Sequence, residues 1–324
     1  MTAIGLVAIG RNEGARLRQC LASAMGWVDR LVYVDSGSTD GSVALARSLG
    51  AEVVELDLSI PFTAARARNA GFRRLRELAP GMAYVQFVDG DCELVGGWLA
   101  RAAAFLEGHG DIAVVCGRRR ERYPGRSIYN LLCDMEWDTP VGEAKACGGD
   151  ALMRADAFEA AGGYREGLIA GEEPELCLRL RTQGWRIWRL EAEMSLHDAA
   201  MTRFGQWWKR TLRAGYAFAE GAWLHGRSPE RHWVRESLSA WLWGAIIPLV
   251  TLGAVSLFGP KGLLLAGIYP SQILRLAFRG GYSWGLNLWR ALFLVLGKFP
   301  EVAGQVRFLQ NRIRGRKARL IEYK

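Results

Sequence analysis

Two aspartates two positions apart, Asp89 and Asp91, follow a strand-like run and are separated only by Gly90. Carboxylates at this spacing can share a hard divalent cation, and Mg²⁺ or Mn²⁺ commonly bridges such carboxylates to phosphate oxygens. The same tripeptide is also ordinary turn chemistry, which is the alternative interpretation. The pattern therefore predicts a phosphate-handling site with Mn²⁺ or Mg²⁺ as the cofactor.

Polar side chains also follow the first two strand-like runs, where Glu13 and Asp35 lie. Asp35 can accept a hydrogen bond from the N–H of a nucleotide base, and Glu13 can reach a ribose hydroxyl. Alternatively, both carboxylates cap the helices that follow them. Arg68 is a cation that could meet a diphosphate, and the alternative for Arg68 is a solvated helix face. Together these residues predict a nucleotide site next to the aspartates.

Two adjacent acidic residues, Glu172 and Glu173, precede a helical run that begins at Pro174. A carboxylate can serve as a general base toward a hydroxyl group. The alternative is an acidic first turn of the helix, which the proline at a first helical position fits well. His197 follows a strand-like stretch and could supply a third metal ligand or a phosphate contact, whereas a lone histidine is more often structural.

The positions of these residues depend on the elements around them. Short β-branched runs alternate with helical stretches from residue 4 to about residue 115, which predicts an α/β fold with a mostly parallel central sheet. In such sheets ligands bind beyond the carboxyl ends of the strands, where Glu13, Asp35, Asp89 and Asp91 would meet. The predicted strands are Ile4–Ile9, Leu31–Val34, Ala51–Val54, Tyr84–Val88 and Ile112–Val115.

The composition of the 324 residues bounds the classes of function. The formal net charge of +9 suits nucleic acid, an anionic membrane surface or a phosphorylated substrate, and charge alone does not choose among them. The six cysteines form no CxxC pair, which argues against zinc and redox motifs and fits reduced thiols. The first residues lack a signal-peptide pattern, so we expect the N-terminal domain to stay in the cytoplasm.

The C-terminal part is apolar. The uncharged run Ser237–Phe258 is as long as a helix that spans roughly 30 Å of hydrocarbon, and Gly262–Leu274 is a shorter, weaker run. Leu286–Phe299 predicts an interfacial amphipathic helix. This pattern predicts two membrane-crossing or re-entrant helices at the cytoplasmic face of the inner (plasma) membrane, with membrane lipids as partners. The alternative is a buried helical hairpin of a soluble domain. The basic tail contains Arg307, Arg312, Arg314, Arg316, Lys317 and Arg319.

Five ordered segments resemble motifs of the family 2 glycosyltransferases, which have a GT-A fold. Val7–Glu13 looks like the opening strand and donor loop, and Val34–Ser42 looks like the second loop. Ala67–Gly71 resembles the helix segment before the metal motif, and Asp89–Asp91 resembles the metal motif itself. Gly171–Leu176 resembles the acidic segment that supplies the catalytic base. The resemblance covers more than half of the chain.

This resemblance implies a nucleotide-diphosphate-sugar donor whose base contacts Asp35. The family usually has Glu-Asp in the acidic segment, so register favours Glu173 as the catalytic base, and the Glu-Glu of this chain leaves Glu172 as a competitor. Residues 148–154 resemble the acceptor-side segment, with Asp150 as an acceptor or sugar contact. The implied nucleotide-sugar-binding residues are Gly10, Arg11, Glu13, Asp35, Ser38, Arg68, Asp89, Gly90 and Asp150, and the implied metal ligands are Asp89, Asp91 and His197.

The expected organisation is a GT-A catalytic domain over residues 1–200, an amphipathic helical connector over 201–236, and membrane-associated helices with a basic tail over 237–324. The resemblance implies inverting sugar transfer to a lipid-linked or membrane-proximal acceptor in envelope polysaccharide or glycolipid synthesis. A nucleotidylyltransferase is the enzymatic alternative, although the opening loop has no Gly-rich basic phosphate signature. A non-enzymatic basic protein of membrane surfaces or nucleic acid is the other, although no nucleic-acid-binding signature is present and we expect no nucleic acid partner.

Overall fold

The computed structural model describes residues 3–316 and 319–322. The chain divides into two compact units, Met1–Thr202 and Arg203–Lys324. The division that the sequence predicts at residue 236 falls inside the second unit. Lys317, which we assigned to the basic tail, lies outside the described residues.

The first unit is built on one nine-stranded sheet in the order β3-β2-β1-β4-β8-β6-β9-β5, with β7 paired to β9. The strands are β1 Ile4–Gly10, β2 Arg30–Asp35, β3 Glu52–Glu55, β4 Tyr84–Asp89, β5 Cys92–Leu94, β6 Ile112–Glu121, β7 Gly142–Ala144, β8 Ala151–Arg154 and β9 Arg186–His197. The helices are α1 Ala15–Ala24, α2 Ser42–Ser48, α3 Ala64–Leu78, α4 Trp98–Gly108, α5 Ile128–Glu136, α6 Ala155–Ala160 and α7 Glu172–Thr182, with a 3₁₀ turn at Pro124–Arg126.

The first half of this sheet has the predicted parallel order, because β3, β2, β1 and β4 pair in parallel. Beyond β4 the sheet is mixed. The short strand β8 runs antiparallel to both β4 and β6, and β6 and β9 pair in parallel. The chain between β6 and β8 includes the short strand β7, which pairs antiparallel with the start of β9, and β8 then runs antiparallel to its neighbours from Ala151 to Arg154. The α/β fold with a central sheet and a following helical region is confirmed, and the expectation of a mostly parallel sheet is corrected to a mixed one.

Helix α3 packs closely on the sheet, and Arg68 in this helix lies at the edge where the parallel strands end. A Cβ atom at Gly71 would lie 2.3 Å from Cγ1 of Val7 and 2.8 Å from Cγ2 of Val34, so only glycine permits this approach. Thr63 caps the helix by accepting a hydrogen bond from the backbone N–H of Arg66. Because α3 connects parallel strands, its N-terminal turns, with Arg68, lie where the strands end.

The second unit consists of helices. They are α8 Phe204–His225, α9 Val234–Trp241, α10 Ile247–Phe258, α11 Ile268–Phe278, α12 Trp284–Leu296 and α13 Lys298–Ile313, with a π-helical turn at Leu242–Ile246 and a 3₁₀ segment at Gly259–Gly267. Close backbone approach joins α8 to α13, since a Cβ atom at Gly215 would lie 2.1 Å from the carbonyl oxygen of Glu301.

One helical stretch of the described residues, Val234–Phe278, is long and apolar enough to cross a membrane by length and composition. Only 6% of its most apolar window is buried, which a core helix of a soluble domain would not allow. The second predicted apolar run falls in the 3₁₀ segment and α11, and the predicted interfacial helix falls in α12 and the start of α13.

Candidate functional site

The loops that follow β1 and β2 are joined by hydrogen bonds. The backbone N–H of Asn12 donates to Oγ of Ser38 at 2.9 Å, and the N–H of Thr39 donates to Oδ1 of Asn12 at 2.7 Å. The hydroxyl of Ser36 donates to the carbonyl oxygen of Gly10 at 3.0 Å. Arg11 is exposed at the outer side of the first loop. The two segments predicted to hold the nucleotide therefore form one continuous surface.

Asp35 shapes the second of these loops. Its Oδ2 accepts hydrogen bonds from the backbone N–H groups of Gly37 and Ser38, both at 2.8 Å, and its Oδ1 accepts from the hydroxyl of Tyr33 at 3.0 Å. The side chain is buried, with 3% exposure. This turn geometry accounts for the aspartate in local terms, and the contact of Asp35 with a nucleotide base stays a prediction.

Gly10 and Gly90 let the first loop pass close to the aspartate motif. A Cβ atom at Gly10 would lie 2.9 Å from Cγ of Glu13, and one at Gly90 would lie 3.0 Å from the carbonyl oxygen of Ile9. Glu13 itself pairs with Arg16 at 2.7 Å. The two predicted glycines thus have a packing reason that is independent of any ligand.

Two arginines hold the carboxylate of Asp89. Nη2 of Arg68 donates to its Oδ1 at 2.8 Å, and Nη2 of Arg119 donates to its Oδ2 at 2.9 Å. Burial alone would raise the pKa of Asp89, but Arg68 and Arg119 keep that pKa below its ordinary value. Asp89 is therefore ionised, and its two oxygens are already engaged by cations.

Arg68 also joins Asp89 to the acidic pair at the start of α7. Its Nη1 donates to Oε1 of Glu172 at 2.8 Å and to Oε1 of Glu173 at 3.0 Å. The guanidinium lies 5.6 Å from the ring centre of Tyr164 and is almost fully buried. Arg68 therefore does not lie on a solvated helix face, which was the alternative interpretation. The contact of Arg68 with a diphosphate stays a prediction.

The carboxyl group of Glu173 has a pKa well above the ordinary value for a glutamate. Burial raises its pKa to about 7, and the neighbouring charge of Glu172 adds to the effect, while Arg68 opposes it. A carboxyl group with this pKa can both accept and release a proton near neutral pH, which is what a general base requires. Glu172 is the more buried of the two side chains, at 7% exposure against 14% for Glu173.

Gly149 lies against the cluster formed by Arg68, Asp89 and Glu173. A Cβ atom at Gly149 would lie 2.5 Å from Nη2 of Arg68, 3.1 Å from Oδ2 of Asp89 and 3.2 Å from Oε1 of Glu173. At the preceding Gly148 nothing would lie within 4 Å. The predicted small residues of the acceptor-side segment thus include one glycine that is directly against the reactive carboxylates.

Asp150 is completely buried beneath the site. Its Oδ1 accepts a hydrogen bond from the backbone N–H of Asp89 at 3.1 Å, and its Oδ2 accepts from Nε of Arg119 at 3.0 Å and from the hydroxyl of Ser195 at 2.5 Å. These bonds fix the end of β4 and the direction of Arg119. The structure gives Asp150 a positioning role, and its contact with a sugar or acceptor stays a prediction.

Asp91 and His197 form the second pair of the site. Nε2 of His197 lies 3.4 Å from Oδ2 of Asp91, and both side chains are 8% exposed. Because β5 pairs with the end of β9, the histidine is brought against the aspartate motif despite their separation in the chain. Nδ1 of His197 is buried and has no hydrogen-bond partner among the described residues, although Oε2 of Glu121 lies 3.9 Å away.

These donor atoms fit a divalent cation. Asp91, Cys92 and His197 each offer a ligand atom within 4.8 Å of the others. Burial raises the pKa of the Cys92 thiol, so it stays protonated and is a poor ligand for a hard cation. Asp91 and His197 therefore supply one oxygen and one nitrogen, a donor set that suits Mn²⁺. Asp89 was also predicted as a metal ligand. Both of its carboxylate oxygens bind arginines, so Asp89 could bind a cation only if at least one of these ion pairs were broken.

Three further residues of the site were missed by the sequence analysis. Arg119 links Asp89 to Asp150, and its guanidinium lies 5.5 Å from the ring centre of Trp137. The ring of Trp137 meets the imidazole of His197 edge-on, with centres 4.9 Å apart. Glu121 accepts hydrogen bonds from the backbone of Tyr123 and Ala199 next to that histidine. The run of arginines in β6 was a signal for Arg119, whereas no motif marked Trp137.

The six cysteines are free and all are buried. Sγ of Cys147 lies 3.6 Å from Sγ of Cys177, close behind Gly149 and α7. The remaining four are dispersed through the first unit. No two of the six cysteines have the spacing of a CxxC zinc site.

The chain is similar in sequence to known glycosyltransferases. Residues 7–159 match the model of the family described as glycosyl transferase family 2. Glycosyltransferase AglE of Haloferax volcanii is 25% identical over 219 residues, which are 63% of this chain and 69% of AglE. Succinoglycan biosynthesis protein ExoA of Rhizobium meliloti is 31% identical over 172 residues, which are 49% of this chain and about half (51%) of ExoA.

Two solved structures have the same fold. Mannosyltransferase PcManGT from Pyrobaculum calidifontis, solved with GDP-Man and Mn²⁺, superimposes with a TM-score of 0.59 at 19% identity and covers 95% of this chain and 87% of its own. Residues 1–349 of S. aureus TarS give a TM-score of 0.52 at 15% identity, covering 97% and 92%. The matched family model, which covers just under half of this chain, and the sequence relatives support a family 2 glycosyltransferase, and the shared GT-A fold is consistent with it.

Proposed function

We propose that this glycosyltransferase moves a hexosyl group from a nucleotide-diphosphate sugar to a hydroxyl group of a lipid-linked or membrane-proximal acceptor, with inversion at the anomeric carbon. The observation that carries the proposal is the buried pair of Asp91 and His197, 3.4 Å apart, next to Asp89 and its arginines. A carboxylate and an imidazole in that position would hold Mn²⁺ or Mg²⁺.

A divalent cation at this pair would offset the charge of the leaving diphosphate. The protein's own groups do the remaining work. Glu173 takes the proton of the acceptor hydroxyl, whose oxygen bonds to the anomeric carbon as the bond from that carbon to the diphosphate oxygen breaks. The electron pair of the broken bond leaves with the diphosphate. Arg68 ties Glu173 to Asp89, so the base and the aspartate motif are held in one fixed arrangement.

Glu172 is the competing base. Its side chain shares Nη1 of Arg68 with Glu173, and both belong to the first turn of α7. Glu173 is favoured because it is the more exposed of the two and because its pKa is raised to about 7. The residue that accepts the proton must meet the acceptor, and greater exposure serves that purpose.

The donor and acceptor classes are supported by likeness and by the second unit. PcManGT was solved with GDP-Man and Mn²⁺, and ExoA is described as a succinoglycan biosynthesis protein. By analogy we propose a nucleotide-sugar donor here and a role in envelope polysaccharide or glycolipid synthesis. The exposed apolar stretch Val234–Phe278 supports attachment to the cytoplasmic face of the inner (plasma) membrane, where a lipid-linked acceptor would be available.

The test is release of nucleoside diphosphate by the full-length chain in detergent with a bacterial lipid extract, supplied in turn with UDP-, GDP-, CDP- and dTDP-sugars. We expect release with one nucleotide class in Mn²⁺ or Mg²⁺, none in EDTA, and release slower by about 10²-fold or more from Glu173→Gln. Glu77→Gln, an exposed glutamate that pairs with Arg74, is the matched control and should behave as the wild type. Equal release by Glu173→Gln and the wild type would move the base to Glu172, and no release from any donor would contradict the proposal.

A further inference from the structure

The apolar stretch of the second unit does not run straight. Gly259 adopts a backbone φ of +62°, a conformation that favours glycine, and Pro260 follows it. A Cβ atom at Gly262 would lie 2.3 Å from the backbone nitrogen of Val255 and 2.4 Å from the carbonyl carbon of Ala254. The 3₁₀ segment therefore turns back at Gly259 and packs directly along α10.

The two limbs meet again at their base. The hydroxyl of Tyr269 donates to the carbonyl oxygen of Trp243 at 2.6 Å, and the two rings lie 6.0 Å apart. Residues 243–269 thus form a closed helical hairpin, which we call the apolar hairpin. Its outward limb is α10 with the preceding turn, its return limb is the 3₁₀ segment, and its tip is Phe258–Gly259–Pro260.

The surface of the apolar hairpin is suited to hydrocarbon. Within this fully described stretch only Thr251 and Gly262 are buried. The hydroxyls of Thr251 and Ser256 donate to the carbonyl oxygens four residues earlier, so neither needs water. Large apolar side chains stand exposed on both limbs, among them Leu249, Leu252, Leu257, Phe258, Leu263 and Leu264.

The length of the apolar hairpin decides how it can enter a bilayer. At about 1.5 Å per residue, the outward limb from Trp243 to Phe258 is about 22 Å long. The uncharged run begins earlier, at Ser237, but a Cβ atom at Gly244 would lie 2.2 Å from the carbonyl oxygen of Lys298, so the helix up to Gly244 is packed against α13 and only the limb is free to enter hydrocarbon. The hydrocarbon core is about 30 Å thick, so the limb passes the midplane and stops short of the far side. Lys261, the one charged residue of the hairpin, lies next to the tip, and its long side chain can extend toward the far headgroups.

Charge at the base fits lipid headgroups. Arg275 and Arg279 follow Tyr269 at the end of α11, where both are exposed. Along the chain, Trp243 and Tyr269 lie between the apolar limbs and the basic residues outside the hairpin, which is the order of aromatic and basic residues found at membrane interfaces. Anionic headgroups would therefore meet the arginines while the limbs are in hydrocarbon.

We propose that the apolar hairpin inserts as a re-entrant loop into a bilayer that contains anionic lipid, entering and leaving through the same face. This inference rests on the membrane attachment in the proposed function and specifies its form. Neither limb crosses to the other side of the bilayer, so both flanks of the hairpin stay in the same aqueous compartment.

The experiment adds full-length protein to preformed phosphatidylcholine and phosphatidylglycerol vesicles. A cysteine label at Phe258→Cys reports the depth of the tip, and labels at Arg235→Cys and Arg275→Cys report the two flanks; the native cysteines are buried. Each variant is first required to melt as the wild type does. We expect the protein to float with the vesicles, the label at 258 to lose fluorescence to acyl-chain nitroxides and not to aqueous iodide, and both flanks to react with a membrane-impermeant maleimide.

Other outcomes separate the claims. Flotation with quenching of the label at 258 by iodide would overturn the hairpin insertion and leave membrane attachment intact. Protection of the flank at 275, with the flank at 235 accessible, would overturn the re-entrant path in favour of a full crossing. Absence of flotation, or a dimer that shields the label at 258 without lipid, would overturn both the hairpin insertion and the membrane attachment. Nucleotide-sugar binding, measured in detergent, would be unaffected by any of these results.

Discussion

Nε2 of His197 lies 3.4 Å from Oδ2 of Asp91, although the two residues are more than a hundred positions apart in the chain. The antiparallel pairing of β5 with the end of β9 brings them together. Both are buried, and a carboxylate oxygen and an imidazole nitrogen this close together can bind one cation. A divalent cation would suit this pair.

Replacing either member of this pair should remove metal-dependent binding of nucleoside diphosphate. Asp91→Asn removes the negative charge that attracts a cation, and His197→Gln removes its nitrogen ligand, so each should weaken binding by at least about tenfold in Mn²⁺. Isothermal titration with and without EDTA measures the change. Asp111→Asn, at an exposed salt bridge with Arg186, is the control and should bind as the wild type does. Unchanged binding by Asp91→Asn would remove this pair from the site.

Transfer should depend on pH through the titration of Glu173. Burial raises the pKa of this carboxyl group to about 7, and only its deprotonated form can accept the hydroxyl proton. The rate should therefore rise as pH increases through about 7 and level off above it. Glu173→Gln should lose about 10²- to 10⁴-fold in kcat while still binding the nucleotide. A rate profile that is flat from pH 5 to 9 under conditions where chemistry limits the rate would contradict this role.

A single methyl group at residue 149 should disable the site. The Cβ atom of Gly149→Ala would lie 2.5 Å from Nη2 of Arg68, so the guanidinium must shift away from Asp89 and Glu173. We expect kcat/KM to fall, and the melting temperature to fall with it, because the shift loosens the buried ion pairs of Arg68. Gly148→Ala, where nothing would lie within 4 Å, provides the neighbouring control. Equal activity of the two alanine variants would show that the Arg68 position is unimportant.

Arg119 should matter for stability as well as for activity. It pairs with Asp150, which is fully buried, so Arg119→Ala would leave a buried carboxylate without its cation. Loss of one partner of a buried ion pair costs about 3–5 kcal/mol of unfolding free energy. Arg120→Ala, in the next position, breaks an exposed pair with Glu193 and should change that free energy by about 1 kcal/mol or less. Denaturant unfolding of both variants measures the difference, and equal effects would contradict the prediction.

The sequence could predict the residues that local patterns mark. The predicted strands around Tyr84–Val88 and Ile4–Ile9 exist, because β-branched runs fully buried between helices leave little choice of structure. Asp89 and Asp91 follow β4 as expected, and Glu172 and Glu173 open α7. Motif order was enough to place these groups at one edge of the sheet.

Long-range geometry was beyond the sequence. Which of the three arginines in β6 faces Asp89 depends on irregularities of register on both sides of Arg118, and strand alternation alone does not reveal them. Trp137 lies between β6 and β8 in a segment without a motif. The sequence predicted a second apolar run after Ser237–Phe258, but not that this run begins as a 3₁₀ segment packed along α10, because that packing depends on the backbone angle at Gly259.

The central claim is that this chain binds a nucleoside diphosphate through a divalent cation at Asp91 and His197. A thermal-shift measurement on detergent-solubilised protein with UDP, GDP, CDP and dTDP, each in Mn²⁺, Mg²⁺ and EDTA, tests it most directly, since a ligand bound only by the folded state raises the melting temperature. We expect one nucleotide to raise the melting temperature in the presence of the metal, and we expect EDTA or Asp91→Asn to abolish that shift. Folded wild-type protein that shows no shift with any nucleotide, or the same shift in EDTA, would contradict the account.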